Sequence, residues 1–216
     1  MRKISDCKLY TFVDTSYLIG RNSDKIAQQL CDGGSDMIQL RAKSEEKETI
    51  IRIAESILPI TEKAGIPLVI NDYPDIAKKV GAQFCHLGQE DFFDAGYKTA
   101  DEITGVTRTI GLGLSSHSIE QAQRAVFAQP DYIAVGPVFP TATKPQAKPV
   151  TLELVKWASK NVMIPFFAIG GINLSNIDEV LSAGARRICV VSAILEKADI
   201  VSICKQFKKK IEQLSL

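Results

Sequence analysis

The sequence predicts a single-domain α/β protein, a (β/α)8 TIM barrel that spans residues 1–216. Short runs rich in branched and aromatic residues alternate with longer segments of helical periodicity, and the alternation repeats eight times without a linker. Such alternation implies a parallel sheet, and eight units at this length fit a closed barrel. An open doubly wound sheet is the alternative, but it would want a GxGxxG turn after the first strand, where Thr15, Ser16 and Tyr17 stand instead.

Each predicted strand is a short apolar run bounded by Gly, Pro or polar residues. The eight runs are 9–13, 37–40, 68–70, 84–87, 109–114, 132–135, 166–169 and 188–191. The helices between them begin at residues that favour an N-cap. The clearest is Ser118, which forms a capping-box pattern with Gln121.

The predicted helices follow the strands in order. The first begins at Ser23 and ends near Gly33, and the second runs from Ser44 to Gly65 with Pro59 as a possible kink. The others lie near 76–80 and at 118–128, 151–159, 175–182 and 198–216. The segment 88–107 is the least regular, and the loop 136–150 is rich in Pro and Thr.

Composition narrows the class of protein. Hydrophobic residues make up 45% of the chain and charged residues 24%, which is typical of a globular domain and not of a disordered one. The formal net charge of +1 gives no bias toward nucleic acid or anionic lipid. We find neither a membrane span nor a secretory signal, and we expect a cytoplasmic protein without nucleic-acid or membrane partners. The five cysteines include no CxxC, and their odd number argues against a disulfide framework. Three of them lie in apolar runs and are interpreted as small buried hydrophobes.

Polar residues follow nearly every predicted strand, where the chemistry of such a barrel is found. They are 39–43 after the second strand, 71–72 after the third, 88–91 after the fourth, 115–117 after the fifth, 136–148 after the sixth, 170–171 after the seventh and Ser192 after the eighth. We therefore expect them to converge on one mouth.

The last two strands end in a pattern that favours phosphate. Gly170 and Gly171 follow the seventh strand, and Val191 and Ser192 end the eighth. Barrel phosphate sites are often built from these two loops, because bare backbone N–H groups can approach the anion. The alternative is that the glycines only relieve a tight turn.

Acidic and basic residues at the other strand ends suggest a metal and a charged ligand. Asp72 and Asp91 follow neighbouring strands and would repel each other unless a cation lay between them, although each could instead cap a helix. Arg41, Lys43 and Lys144 would suit a multiply charged ligand such as a diphosphate, or they could form a solvated surface.

The two histidines are less informative. His86 lies inside an apolar strand and is interpreted as a core or rim residue. His117 could be a general acid or base, or it could cap the next helix. No GxSxG motif is present, so nothing supports a nucleophile triad.

Seven of these segments together resemble the thiamine phosphate synthase family, in its order and spacing. They are QLRAK (39–43), ND (71–72), HLGQED (86–91), GLSSHS (113–118), GPVFPTATKP (136–145), AIGGI (168–172) and VVSAI (190–194). The resemblance implies a barrel that joins 4-amino-5-hydroxymethyl-2-methylpyrimidine diphosphate to 4-methyl-5-(2-hydroxyethyl)thiazole phosphate and releases diphosphate. Small departures are Ala42, where the family often has Glu, and Cys85, where it often has Val.

The resemblance also implies residue roles. The pyrimidine diphosphate would be held by Gln39, Leu40, Arg41, Ala42, Lys43, Asn71, Ser115 and Lys144, of which Arg41, Lys43, Ser115 and Lys144 would be catalytic. The thiazole phosphate would be held by Thr141, Ala142, Thr143, Gly171, Val191 and Ser192. Asp72 and Asp91 would bind Mg²⁺, one ion per subunit. The implied mechanism is Mg²⁺-assisted dissociative substitution.

Two other functions stay open at this stage. A thiazole tautomerase shares the barrel and would use His117 for proton transfer without a metal. A catalytically idle phosphate-binding module is the other alternative. We further expect loop 136–149 to be an active-site lid, because it exceeds the usual length of a βα connection, and we leave a homo-oligomer open.

Overall fold

The computed structural model describes residues 1–141 and 149–213, and these form a closed barrel of eight parallel strands in sequence order. The strands are β1 (Leu9–Asp14), β2 (Met37–Arg41), β3 (Leu68–Asn71), β4 (Phe84–Leu87), β5 (Gly111–Ser116), β6 (Tyr132–Val135), β7 (Phe166–Ile169) and β8 (Ile188–Cys189). The predicted TIM barrel is confirmed. β8 closes the ring against β1, where Leu9 pairs with Ile188 and Tyr10 with Cys189.

Helices surround the barrel on the outside. They are α1 (Ser23–Asp32), α2 (Lys47–Lys63), α3 (Pro74–Val80), α4 (Asp101–Thr104), α5 (Ile119–Phe127), α6 (Thr151–Asn161), α7 (Ile177–Ser182), α8 (Ser192–Leu195) and α9 (Ile200–Gln213). Each longer helix buries one apolar stripe against the strands; in α9 the stripe is Ile200, Cys204, Phe207 and Ile211. No described helix is long and apolar enough to span a bilayer.

Several predicted boundaries were wrong in informative ways. The second helix begins at Lys47 and not at Ser44, and the irregular segment after β4 contains a π-helical turn, Glu90–Asp94, before α4. β5 both starts and ends two residues later than predicted, and because it extends to Ser116, Ser115 lies inside the strand. β8 ends at Cys189 because the backbone of Val191 leaves the extended region to start the short helix α8.

An aromatic cluster fills the barrel interior beneath its C-terminal ends. The ring centroid of Phe167 lies 5.2 Å from that of Tyr10 and 5.4 Å from that of Tyr132, and all three side chains are buried. Gly113 of β5 makes this packing possible, because a Cβ there would lie 2.1 Å from Cζ of Tyr132. This cluster forms the floor of the cavity above it.

The five cysteines are free thiols, as the sequence predicted. Four are buried and Cys31 is half-buried. Burial raises the pKa of Cys7 and of Cys31 to about 11 and that of Cys204 to about 12. These thiols are therefore protonated at neutral pH and act as small apolar side chains.

Asp36 joins the N-terminal segment, β1 and α9 at the opposite end of the barrel. Its buried carboxylate accepts hydrogen bonds from the backbone N–H groups of Lys8 and Leu9, both at 2.9 Å, and from Nζ of Lys208 at 2.7 Å. Arg2 forms a further ion pair with it. The carboxylate thus satisfies donors from three parts of the chain.

We predict that Asp36→Ala lowers the free energy of unfolding by about 3 kcal/mol, because it leaves Lys208 and two backbone donors without their buried acceptor. Urea denaturation measures this change. The control is Asp178→Ala, which removes an exposed ion pair with Lys210 and should cost less than about 1 kcal/mol. Equal effects of the two substitutions would contradict the assignment.

Candidate active site

A cavity of about 1080 Å³, including its open mouth, lies at the C-terminal ends of the strands. All eight strands or the loops after them contribute to its wall. The cavity brings together most of the described residues that the sequence singled out: Gln39, Arg41, Lys43, Asn71, Asp72, Asp91, Ser115, Thr141, Gly171, Val191 and Ser192.

Two residues that were predicted to bind the substrate do not line the cavity. Leu40 and Ala42 are buried on the other face of the β2 segment, because successive side chains of a strand point to opposite sides. Ala142, Thr143 and Lys144 lie outside the described residues.

Asp14 holds Arg41 against the cavity wall. The two residues pair across β1 and β2, and Nη1 of Arg41 lies 2.7 Å from Oδ2 of Asp14. The carboxylate is buried, and its Oδ1 accepts hydrogen bonds from the N–H and the hydroxyl of Ser16. Because both of its oxygens are engaged, Asp14 fixes the direction in which the guanidinium meets a ligand.

Asp72 is turned into the cavity by an unusual backbone conformation. Its φ is +64°, in the left-handed region that costs most residues about 1 kcal/mol, and its N–H donates to the carbonyl of His86 at 2.9 Å. The carboxylate lies 3.2 Å from Nζ of Lys43. Asp72 does not cap α3, which begins after Tyr73 without a side-chain cap. Backbone strain of this kind is typical of functional sites.

Acidic groups gather on the same side of the cavity. Glu90 and Asp91 both line it, and a Cβ added at Gly88 would lie 2.8 Å from Oδ2 of Asp91 and 3.5 Å from Oε2 of Glu90. The described residues contain no group of three or more His, Cys, Asp or Glu close enough to hold a metal by themselves. A small number of carboxylates suits Mg²⁺, because this ion takes its remaining ligands from water and substrate phosphate.

The opposite side of the cavity is built from bare backbone. Gly171 has φ +65°, and a Cβ there would lie 2.5 Å from the carbonyl oxygen of Pro140. Its own carbonyl accepts from the side-chain amide of Asn176 at 2.9 Å, which anchors the loop. Helix α8 begins at Ser192 on the cavity wall, and the first N–H groups of a helix have no partner within it. This side presents donors to an anion.

A continuous chain of hydrogen bonds crosses the floor between these two sides. It joins Gln39, Tyr10, Tyr132, His86 and Ser115, with heavy-atom distances from 2.6 to 3.1 Å. Burial raises the pKa of both tyrosines well above the usual value, so both phenols keep their protons. His86 is thus a hydrogen-bonded residue of the rim, in agreement with its interpretation from the sequence.

His117 lies at the mouth between β5 and β6. Its Nδ1 is hydrogen-bonded to the carbonyl oxygen of Gly136, and its backbone N–H donates to Oε1 of Gln121 at 2.8 Å. Its side chain therefore ties the end of β5 to the loop after β6. The N-cap of α5 is Ser118 and not His117, so the helix-capping alternative for His117 was wrong.

Several site residues escaped the sequence analysis. Tyr10 and Tyr132 were absorbed into apolar strands. Asp14 directly follows the first predicted strand, and only the pairing of β1 with β2 could have shown that it faces Arg41. Gln89 is buried and donates to the carbonyl of Ser115 at 2.5 Å, while its Oε1 accepts from Arg124 at 2.7 Å. It supports the site from behind the wall.

A closed (β/α)8 barrel with acidic and cationic groups on one side of its rim, and backbone donors on the other, is typical of enzymes that act on phosphorylated small molecules. The comparisons with known proteins make this specific. The family model for thiamine monophosphate synthase matches residues 9–194, and the chain belongs to that family.

Individual relatives match three quarters of the chain or more. The thiamine-phosphate synthase of Halalkalibacterium halodurans is 37% identical over 209 residues, which cover 96% of this chain and 97% of that protein. The thiamine-phosphate synthase of Thermus thermophilus is 43% identical over 77% of this chain and 78% of its own. The thiamine phosphate pyrophosphorylase structure from Pyrococcus furiosus has a TM-score of 0.86 at 26% identity and covers 98% of both chains.

We predict that Asp14→Asn lowers the free energy of unfolding by about 2 kcal/mol, because the half-buried guanidinium of Arg41 loses its counter-charge. Inorganic diphosphate should stabilise the variant more than the parent protein, since the anion replaces that charge. Thermal unfolding with and without diphosphate measures both effects. Asp32→Asn, at the far end of α1, is the control and should behave as the parent does. Equal stabilisation of the parent and Asp14→Asn would contradict the role of Asp14.

Proposed function

We propose that this chain is a thiamine-phosphate synthase. It joins 4-amino-5-hydroxymethyl-2-methylpyrimidine diphosphate to 4-methyl-5-(2-hydroxyethyl)thiazole phosphate and releases diphosphate. The observation that carries the proposal is a single cavity lined by Lys43, Asp72 and Asp91 on one side and by Gly171 and Ser192 on the other. Membership of the family supports the same conclusion.

The reaction breaks one bond and forms one. The C–O bond between the pyrimidine methylene and the diphosphate breaks, and its electron pair leaves with the diphosphate. The electron-rich aminopyrimidine bears the resulting positive charge until the thiazole nitrogen donates its lone pair and forms the C–N bond. No proton transfer is needed, so this dissociative route relies on leaving-group stabilisation and on positioning.

The residues of the acidic and cationic side would bind and stabilise the diphosphate leaving group. Arg41 and Lys43 supply positive charge to the diphosphate, and Asn71 and Ser115 donate to its oxygens or to the ring. Asp72 and Asp91 would hold one Mg²⁺ per subunit. When bound there, Mg²⁺ would neutralise negative charge that develops on the departing diphosphate. Asp14 keeps Arg41 directed toward it.

The opposite side would hold the thiazole phosphate. Backbone N–H groups near Gly171 and at the start of α8, Val191 and Ser192 among them, donate to its oxygens, and Thr141 adds a hydroxyl. A phosphate held on this side would allow the thiazole nitrogen to face the pyrimidine. Roles for Ala142, Thr143 and Lys144, and closure of the lid 136–149, stay predictions, because residues 142–148 lie outside the described residues. We keep the expectation of a cytoplasmic enzyme and leave its assembly open.

The direct test is incubation of the purified protein with both substrates and Mg²⁺. Thiamine phosphate and diphosphate should form in equal amounts, and chelation of Mg²⁺ should stop both. Isomerisation of a thiazole carboxylate phosphate without metal would instead identify a tautomerase that uses His117. Binding of phosphate compounds without turnover would identify an idle module.

We predict that Asp72→Asn and Asp91→Asn each reduce turnover at least about 100-fold at low Mg²⁺, because each removes a metal-binding charge. Asn tolerates the left-handed backbone of residue 72, so the fold should survive. Turnover as a function of Mg²⁺ concentration measures the effect. Asp75→Asn is the control, since Asp75 is exposed and paired with Lys47 outside the cavity. Unchanged Mg²⁺ dependence of both variants would contradict the metal assignment.

We predict that Gly171→Ala raises the KM for the thiazole phosphate about tenfold or more and changes the KM for the pyrimidine diphosphate far less. The added Cβ meets the carbonyl of Pro140 and displaces the donors of this loop. Gly65→Ala separates this effect from backbone strain, because Gly65 has a φ of +68° with nothing within 4 Å of a Cβ. Steady-state kinetics decides: an equal rise in both KM values would mean that the two ends of the site have been exchanged.

A further inference from the structure

We propose that the hydrogen-bond chain on the cavity floor makes the site select its ring by donor and acceptor polarity, with Tyr132 as a positioning residue that couples the two ends. The proposal rests on the proposed function only in taking the ring to be an aminopyrimidine. The ends of the chain, Gln39 and Ser115, both line the cavity, whereas Tyr132 is buried and is not among the lining residues.

The chain runs across five strands. Nε2 of Gln39 on β2 lies 2.6 Å from Oη of Tyr10 on β1, which lies 3.0 Å from Oη of Tyr132 on β6. That oxygen lies 3.1 Å from Nδ1 of His86 on β4, and Nε2 of His86 lies 3.0 Å from Oγ of Ser115 on β5. The four contacts form one line of donors and acceptors.

The direction of the protons along this line follows from the first contact. The amide nitrogen of Gln39 can only donate, so Tyr10 accepts there and gives its own proton to Tyr132. Tyr132 must then donate to Nδ1 of His86. The imidazole carries its proton on Nε2 and donates it to Ser115.

Only one other arrangement satisfies every member, and it is the complete reversal. Gln39 would turn its Oε1 toward Tyr10, each phenol would donate the other way, and Ser115 would donate to His86. A mixed arrangement makes one phenol oxygen accept two hydrogen bonds and leaves the proton of that buried phenol without an acceptor in the chain. That costs as much as a lost buried hydrogen bond. The five side chains therefore change direction together.

The two directions of the chain offer a ligand opposite sets of hydrogen-bond donors and acceptors. In the direction that follows from donation by Nε2 of Gln39, Oε1 of Gln39 is left to accept and the hydroxyl proton of Ser115 is left to donate. A ring that offers an amino group at one end and an unprotonated ring nitrogen at the other matches both. A 4-oxo ring, whose oxygen accepts and whose ring nitrogen carries a proton, matches neither unless the whole chain reverses.

Hydrogen bonds and close packing hold the backbone of Ser115 in place. Its carbonyl accepts from Nε2 of Gln89 at 2.5 Å, and Gln89 is held in turn by Arg124, which lies 4.0 Å from the ring centroid of Phe93. Gly113, two residues earlier on the same strand, is in close contact with Tyr132. Ser115 therefore responds by turning its hydroxyl group and not by moving.

The tautomer of His86 is the first test, and it needs no turnover. The chain contains two histidines, so ¹⁵N NMR of histidine-labelled protein gives two sets of ring signals, and His117→Asn assigns them. We expect His86 to be neutral with its proton on Nε2 in the parent protein, and to become a mixture of tautomers in Tyr132→Phe. A proton on Nδ1 of His86, an imidazolium, or no change in Tyr132→Phe would overturn the proposal. An inactive parent protein with the expected tautomer would refute the function and leave the chain intact.

Ligand discrimination is the second test. Competition binding should compare the 4-amino pyrimidine diphosphate with its 4-oxo counterpart. We expect the parent protein to prefer the amino form at least about 100-fold and Tyr132→Phe to prefer it about tenfold or less, with the KM for thiazole phosphate unchanged within about twofold. Tyr97→Phe, which removes a phenol outside the cavity wall, should match the parent.

Tyr10→Phe breaks the chain one step earlier and serves if Tyr132→Phe does not fold. It should lower the same preference in the same way. Discrimination that stays at the parent level in a folded variant, or a parallel loss of affinity for both substrates, would overturn the coupling.

Discussion

Closure of the barrel between β8 and β1 is the constraint on which the site depends. β8 is two residues long, and it pairs with β1 through Leu9, Tyr10, Ile188 and Cys189, with a further hydrogen bond from the N–H of Val190 to the carbonyl of Tyr10. Because the ring closes there, the pair of Asp14 and Arg41 shares one rim with the start of α8. In an open sheet, the strand ends that carry Lys43 and Asp72 would lie apart from those that carry Gly171 and Ser192, and these residues would not line one cavity.

The side chains that pack inside the closed barrel also form the floor of the cavity. The aromatic floor is buried core, yet it carries the hydroxyl groups that connect Gln39 with Ser115. Because Gly113 has no side chain, the ring of Tyr132 can pack against it, and because Gly171 has none, the loop after β7 can pass close to Pro140. Strain is accepted at Asp72, whose left-handed conformation turns its carboxylate toward Lys43. Stability and function therefore rest on the same side chains in the upper half of the barrel.

Much of this could be predicted from the sequence, and the rest depends on contacts between distant strands. β4, β6 and β7 were placed correctly because each is an apolar run with turn residues on both sides. The motifs located the candidate binding residues at the rim of the barrel, but they did not distinguish side chains that face the cavity from those that face away. Leu40 and Ala42 were therefore included although they do not line the cavity. The partner of Arg41 and the chain through Tyr10 could not be predicted, since they require the register and closure of the barrel.

The proposed function requires that diphosphate with its metal and the thiazole phosphate occupy opposite sides of one cavity. A crystal structure with Mn²⁺ in place of Mg²⁺, diphosphate and thiazole phosphate tests this requirement most directly. We expect an anomalous peak between Asp72 and Asp91, diphosphate oxygens at Lys43, and the thiazole phosphate at Gly171 and the N-terminus of α8. A metal bound elsewhere, or a thiazole phosphate beside Lys43, would contradict it.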